Sequence, residues 1–283
     1  MAGCLALLAG CTGVPDRSAQ ARQITTELRG FAGVESVVDS YSNGMTQGVS
    51  YNVQIRLSAA ATVEQATAVA DHYYRATAQG FDKHSQRVNL RADDDDLTLY
   101  GQAPVDLDSQ LATVRRWWQL RQQLPAAALS WADTGPRTGL GRSVQVNSEQ
   151  GAADLLAALR VAGSDLAGTQ WIIRLGKSRI DLFDGYPDTA TADLIERLLG
   201  TRQWDIAVDP ATAPSLRLAV WEFVVPETER SARADLALIA GLGHPVTYTI
   251  KPNGQQPIVV AVHGCLRDGP PLQQRLNAEF GTC

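Results

Sequence analysis

Four consecutive aspartates, Asp93, Asp94, Asp95 and Asp96, come nearest to chemistry by residue type and spacing, because crowded oxygen ligands can hold calcium. A calcium loop alternates its ligands and includes a glycine for the bend, whereas this run is unbroken. A solvated, self-repelling hairpin tip explains it more simply, and no metal site is expected. The histidines, His72, His84, His244 and His263, form no His-Glu-x-x-His or comparable ligand pair. There is no Gly-x-Ser-x-Gly elbow and no Ser-x-x-Lys pair, and Gly139-Leu140-Gly141 lacks the later lysine that phosphate cradling needs. No catalytic residue and no cofactor is therefore assigned. A non-catalytic binding or scaffolding module is expected, and a hydrolase with a site in a cleft between units is the alternative. A pocket where a histidine and a carboxylate converge would favour the second.

One helix carries the candidate contact site. Trp117 and Trp118 stand beside Arg115, Arg116 and Arg121. Successive helical residues point about 100° apart, so one indole is expected at the surface. Arg115, Arg116 and Trp117 would then meet a partner protein, a glycan or a membrane surface. In the competing arrangement Trp118 packs on the sheet and Trp117 covers a join between units. Trp171, Trp204 and Trp221 lie on strands and are expected in the core. The chain has 283 residues, 45% hydrophobic and 19% charged, which predicts a folded protein of two globular units or three small ones. Its net charge of −5 signals no basic face of the kind a nucleic-acid binder carries, and lysine occurs only at Lys83, Lys177 and Lys251.

The first residues bear on location. An apolar run ends in Leu8-Ala9-Gly10-Cys11, which resembles the lipobox of bacterial lipoproteins. The resemblance implies that Cys11 receives a diacylglycerol group and becomes the first mature residue, residues 1–10 being a partial signal peptide. Cys4 matches nothing in the motif. A secretory signal also needs a basic n-region, and no Lys or Arg precedes the box, so a start codon further upstream is expected, with a truncated chain as the alternative. Residues 11–17 read as a short lipidated tether without structure. The expected location is the extracytoplasmic face of the cell membrane, with the membrane as partner through the lipid, an envelope protein or polymer as ligand, and no nucleic acid. Cys265 and Cys283 then remain as an even pair. A disulfide between them fits export and would tie the last helix to the strand before it, contributing about 3 kcal/mol in the chain-entropy estimate. Free thiols or a metal site with His263 are the alternatives, and no paired Cys-x-x-Cys spacing supports zinc.

The elements that must position these residues alternate. Ile24, Leu28 and Phe31 fall at helical spacing. The strands 34–41 and 49–57 then flank the turn Ser42-Asn43-Gly44. Tyr51, Val53, Ile55 and Leu57 alternate with Ser50, Asn52, Gln54 and Arg56, so one face is expected dry and the other wet. Thr62 and Gln65 make a capping box. The order helix, strand, strand, helix, strand, strand recurs at about 80 residues, giving α+β units over 18–102, 106–185 and 188–283, the last with a C-terminal helix. Antiparallel sheets with helices packed on one face are expected. The segment Arg87-Val88-Asn89-Leu90-Arg91-Ala92 through Leu97-Thr98-Leu99-Tyr100-Gly101 resembles the terminal hairpin of BON domains, small modules of bacterial envelope proteins implicated in binding membranes or polymers. That resemblance covers about a fifth of the chain, and acidic residues replace the usual turn glycine. A ferredoxin-like sandwich shifted in register would give nearly the same order.

Overall fold

The computed structural model describes residues 13–44, 48–101, 106–133, 141–149, 152–163, 168–183, 187–199, 203–209, 215–222, 225–252 and 256–282. The protein is α+β. Packing divides it into two compact units, Met1–Gln122 with Ala128–Arg142, and Gln123–Ala127 with Ser143–Cys283. The first holds α1 (Ser18–Arg29), β1 (Val34–Gly44), β2 (Gly48–Leu57), α2 (Val63–Thr77), β3 (Ser85–Ala92), β4 (Asp95–Gly101), most of α3 (Leu107–Gln123) and most of β5 (Ala127–Asp133). The second is built from β6 (Arg142–Ser148), α4 (Ala152–Ala162), β7 (Thr169–Leu175), β8 (Ser178–Leu182), α5 (Thr189–Leu199), β9 (Trp204–Asp209), β10 (Ser215–Glu222), α6 (Val225–Ala240), β11 (Val246–Pro252), β12 (Ile258–Val262) and α7 (Pro271–Phe280). One helix and two strands alternate throughout, with helices starting at Ser18, Val63, Leu107, Ala152, Thr189 and Val225. The period is thus half of the expected 80 residues, and each of the spans 18–102, 106–185 and 188–283 holds two consecutive modules.

Within each unit strands pair in chain order, and the sheets are mixed rather than wholly antiparallel. Hairpins β1–β2, β3–β4, β7–β8, β9–β10 and β11–β12 are antiparallel, while β2–β3, β4–β5, β8–β9 and β10–β11 are parallel. The cause is the intervening helix, which carries the chain back along the sheet so that the next strand starts from the same end. A dry side and a wet side along every strand belong most often to antiparallel sheets, and here the parallel pairs share that one-sided pattern. The turn in the first hairpin also differs from expectation. β1 continues through Ser42, Asn43 and Gly44, which pair with Ser50, Val49 and Gly48, so the loop falls at residues 45–47, outside the described residues.

In the first unit Tyr51, Val53, Ile55 and Leu57 of β2 are buried against Ala66, Val69, Ala70 and Tyr73 of α2 and Leu28 of α1. The capping box at Thr62 and Gln65 is formed. Burial pushes the Tyr51 phenol up to about 12, so it remains a neutral donor to the Ala21 carbonyl at 3.1 Å. Residues 13–17, expected to be an unstructured tether, are docked. The Asn43 amide donates to the Val14 carbonyl at 2.9 Å, and the Arg17 N–H donates to the Tyr41 hydroxyl at 2.7 Å. Arg17 lies across Gly80, where an added Cβ would come within 2.9 Å of the guanidinium and the φ of +98° disfavours a side chain in any case. His84 is fully buried beside Tyr41 and Phe81.

In the second unit Trp171, Ile173, Ile180, Trp204, Ile206 and Tyr248 are buried with Leu194, Ile195, Leu198, Leu236 and Ile239. The side chain of Trp221, on β10, lies outside the described residues. Among the described residues no strand pairs with the far side of β12, and α7 lies there instead. Gln273 Oε1 accepts from the Val259 N–H at 2.8 Å, and Asn277 Oδ1 accepts from the Ala261 N–H at 2.9 Å while its Nδ2 donates to the Val259 carbonyl at 3.1 Å. Residues four apart on a helix share one face, so the two amides reach one strand edge together and blunt it.

Two outcomes test these arrangements. Burial, foremost, and the Arg17 charge hold His84 below the ordinary value of 6.5, against Asp82, which raises it. The fold then binds fewer protons than the unfolded chain, so stability is full above about pH 6.5 and falls as pH drops below it. Thermal midpoints should therefore decline by a few degrees between pH 7.5 and 5.5 in the wild type and decline less in His84→Gln. An equal decline in both would remove His84 as the cause. Asn277→Leu leaves Ala261 N–H and Val259 C=O without partners, and should cost about 2 kcal/mol in urea unfolding and promote self-association by sedimentation.

Candidate functional site

Because the helices cover one face of each unit's sheet, the other face of the first unit stands open. Its outward side chains form three rows across the strands. Ser40, Asn52, Arg87 and Tyr100 make one row, and Val38, Gln54, Asn89, Thr98 and Ala132 the next. Ser36, Arg56, Arg91, Asp96 and Ser130 complete the set. The middle of this surface is a hollow of about 480 Å³ reaching from Val38 and Ser40 on β1 to Asp96 and Thr98 on β4. Asp39 borders it as well, although its side chain alternates with Val38 and Ser40 and influences Tyr51 in the core.

This face carries more positive charge than negative. Three arginines, Arg56, Arg87 and Arg91, outnumber two carboxylates: Asp96, the register partner of Arg91, which accepts from the Ser130 hydroxyl at 2.7 Å, and Asp39 at the border of the hollow. None of the three arginines forms an ion pair with a described residue, and Arg56 and Arg91 are register partners on adjacent strands. Like charges placed opposite one another repel. Amides fill the space between them. Asn89 Nδ2 donates to Thr98 Oγ1 at 2.8 Å, and Asn52 and Gln54 lie beside Arg87 and Asn89. Val38 is 64% exposed and Tyr100 is 38% exposed. The arrangement can bind an anion and hydrogen-bond to hydroxyls. No histidine or cysteine lines the hollow.

The candidates expected from sequence fall elsewhere. The aspartate run is a solvated tip only in its first half. Asp93, with φ of 53°, and Asp94 form the exposed two-residue loop, while Asp95 is buried and Asp96 half-buried on β4. Arg121 of α3 bridges Asp93 and Asp95, its Nε lying 2.7 Å from Asp95 Oδ2. Asp95 Oδ1 accepts from the Leu129 N–H at 2.8 Å. Burial raises the Asp95 carboxyl above its ordinary value in spite of Leu129 and Arg121. The run is thus a clamp that holds β5 and α3 to β4. No group of three potential metal ligands occurs among the described residues.

Trp117 and Trp118 are both buried, so the expected exposed indole is a correction. The helix α3 packs on the sheet and also beside α2, where the Tyr74 hydroxyl meets Gln110 at 3.3 Å, and its buried arc is therefore wide enough for both. The rings sit edge to face at 5.6 Å, and Arg121 lies 5.1 Å over Trp118. Arg115 is exposed and Arg116 half-buried, so the trio Arg115, Arg116 and Trp117 forms no joint surface. A histidine and a carboxylate do converge at His72 and Glu27, 2.8 Å apart, but on the outer surface of α1 and α2 and away from the hollow. Gln23, foremost, and His72 hold the Glu27 carboxyl below its ordinary value. Cys11, with Leu8-Ala9-Gly10, and Cys283 lie outside the described residues. Cys265 is exposed, and the Thr282 N–H donates to the Gly264 carbonyl at 2.8 Å. A Cβ on Gly281 would come within 2.9 Å of that carbonyl, which is how closely the C-terminal backbone approaches residue 264.

The sequence shows part of this face. Its alternation puts Asn52, Gln54 and Arg56 on the wet side of β2, but it does not show which strands lie beside them and so does not join Arg87 and Arg91 to them. Comparison with known proteins gives no match: no family model fits the chain, and no curated protein or solved structure is similar to it.

The clamp makes a prediction about stability. Asp95→Ala strands the buried Leu129 N–H and removes a partner of Arg121, and should cost about 2–4 kcal/mol in urea unfolding. Asp95→Asn keeps the acceptor and should cost about half as much. Wild-type stability in the alanine variant would sink the clamp.

Proposed function

We propose that this protein is a lipid-anchored module of the cell envelope that binds an envelope polymer non-catalytically through the open face of its first unit. The observation that carries the reading is the set of three arginines, none in an ion pair with a described residue, on the sheet face that holds the hollow. Surface arginines that serve only solubility are ordinarily interspersed with acidic residues, and a patch of one sign marks a surface meant to meet the other. The anchor is supported by Leu8-Ala9-Gly10-Cys11 and its likeness to a lipobox. The docking of Val14 and Arg17 on β1 adds to it, because only Thr12 separates Cys11 from the described segment. A lipid on Cys11 would hold the first unit within about 10 Å of the bilayer instead of on a free leash. The zippering of residue 282 against residue 264 favours a disulfide between Cys265 and Cys283, which suits an oxidising compartment. The likeness of the β3–β4 hairpin to BON domains points to the same setting.

The reading predicts a covalent state. Mass spectrometry of the protein expressed in a bacterial host with its upstream coding sequence should find diacylglycerol on an N-terminal Cys11, and non-reducing peptide mapping should find Cys265 joined to Cys283. Cys11→Ser should release the protein from the membrane fraction. An unmodified Met1 with free thiols would overturn the location.

A further inference from the structure

We infer that the ligand of this face is an acidic polysaccharide, a chain of sugars bearing carboxylates that lies across Arg56, Arg87 and Arg91. The inference rests on the proposed binding role and narrows it to one chemical class. Arg87 and Arg91 are four residues apart on β3, which places their Cα atoms about 13 Å apart along the strand, with Arg56 on the next strand, about 4.8 Å from Arg91. Charges spread over that distance suit repeated anions on one chain better than a single small anion, which convergent arginines would enclose. Guanidinium groups present paired N–H donors that match a carboxylate.

The residues between the charges favour sugars. Asn89 sits between Arg87 and Arg91 on the same face, and Gln54 and Asn52 extend the amides onto β2. Side-chain amides both donate and accept, as hydroxyl groups do, so they suit a ligand dense in hydroxyls. Tyr100, register partner of Arg87, offers a half-exposed ring at the end of its row for the apolar face of a sugar. A bilayer fits this surface poorly, because Arg87 and Arg91 line a hollow that a flat headgroup plane cannot enter, and Val38 alone among the outward side chains of the middle row is a large exposed apolar group. A single-stranded nucleic acid would need successive aromatic platforms, and Tyr100 is the one aromatic side chain in the three rows.

The test is fluorescence polarisation of the full-length protein with hexameric galacturonate labelled at its reducing end. Competitors are the unlabelled hexamer, its methyl ester, maltohexaose, vesicles with 30% phosphatidylglycerol and an oligothymidylate. The hexamer should compete at least tenfold better than its ester, and Arg87→Gln with Arg91→Gln should weaken binding at least tenfold while the thermal midpoint stays within about 2 °C of wild type. Equal competition by ester and acid would overturn the role of charge. Vesicles or oligothymidylate competing as well as the hexamer would overturn the class. Retention on insoluble bacterial cell walls separates this inference from its premise. If the hexamer fails to bind while the walls retain wild type and not the double variant, the acidic-sugar inference falls and the binding face stands. If the double variant is retained as well as wild type, the face itself is overturned.

Discussion

Among the described residues, the helices that connect strands within each unit lie on one side of its sheet, and the rest of the structure depends on that constraint. A helix that carries the chain back to the starting end of the sheet makes the next strand parallel to the last, and it must bury its apolar stripe on the way. Doing so repeatedly on the same face gives each strand one side packed with Val, Ile, Leu and aromatic residues and another that nothing covers. Parallel pairs are ordinarily covered on both faces. Here β2–β3 and β4–β5 are covered on one, so their outward residues had to be polar. Polar residues in register across four strands are already most of a binding surface.

A one-sided sheet also leaves its joins short of packing, and side chains bonded to backbone make up for it. Asp95 holds Leu129, Asp96 holds Ser130, and Arg121 reaches back from α3 to the same hairpin. At β12 the amides of Gln273 and Asn277 take the place of a further strand. The two joins use different chemistry because their settings differ. A carboxylate at the buried base of a hairpin can gather a backbone N–H and a guanidinium together, whereas an open strand edge presents N–H and C=O groups alternately and needs a group that both accepts and donates.

The same reasoning explains what the sequence disclosed. Element order was legible because the apolar spacing changes between two and about three and a half residues at each boundary, as at Tyr51-Val53-Ile55-Leu57 and then Val63-Ala66-Val69-Ala70. Adjacency was not, since a strand's alternation states which side is dry and not which strand lies next to it, and so Arg56 could not be set beside Arg91. Trp117 and Trp118 misled for a related reason. The angle between them on the helix is local, but the width of the buried arc is set by the sheet and α2 together. Asp95 looked like its exposed neighbours because nothing in an unbroken run of aspartates marks the residue at which the turn ends and the strand begins.

The arginines on the open face of the first unit form no ion pair with a described residue, which sets them apart from Arg179 of the second unit. On β8 of the second unit, Arg179 is held by Asp181 at 2.9 Å with Asp205 as its register partner, and Asp181, foremost, raises the guanidinium above its ordinary value. Arg56 and Arg91 are neighbours on β2 and β3, and the acid beside them, Asp96 across from Arg91, accepts from the Ser130 hydroxyl instead of pairing with a guanidinium. Like charges so placed repel, and in the reading proposed for this face an anionic ligand lying across both strands relieves that repulsion.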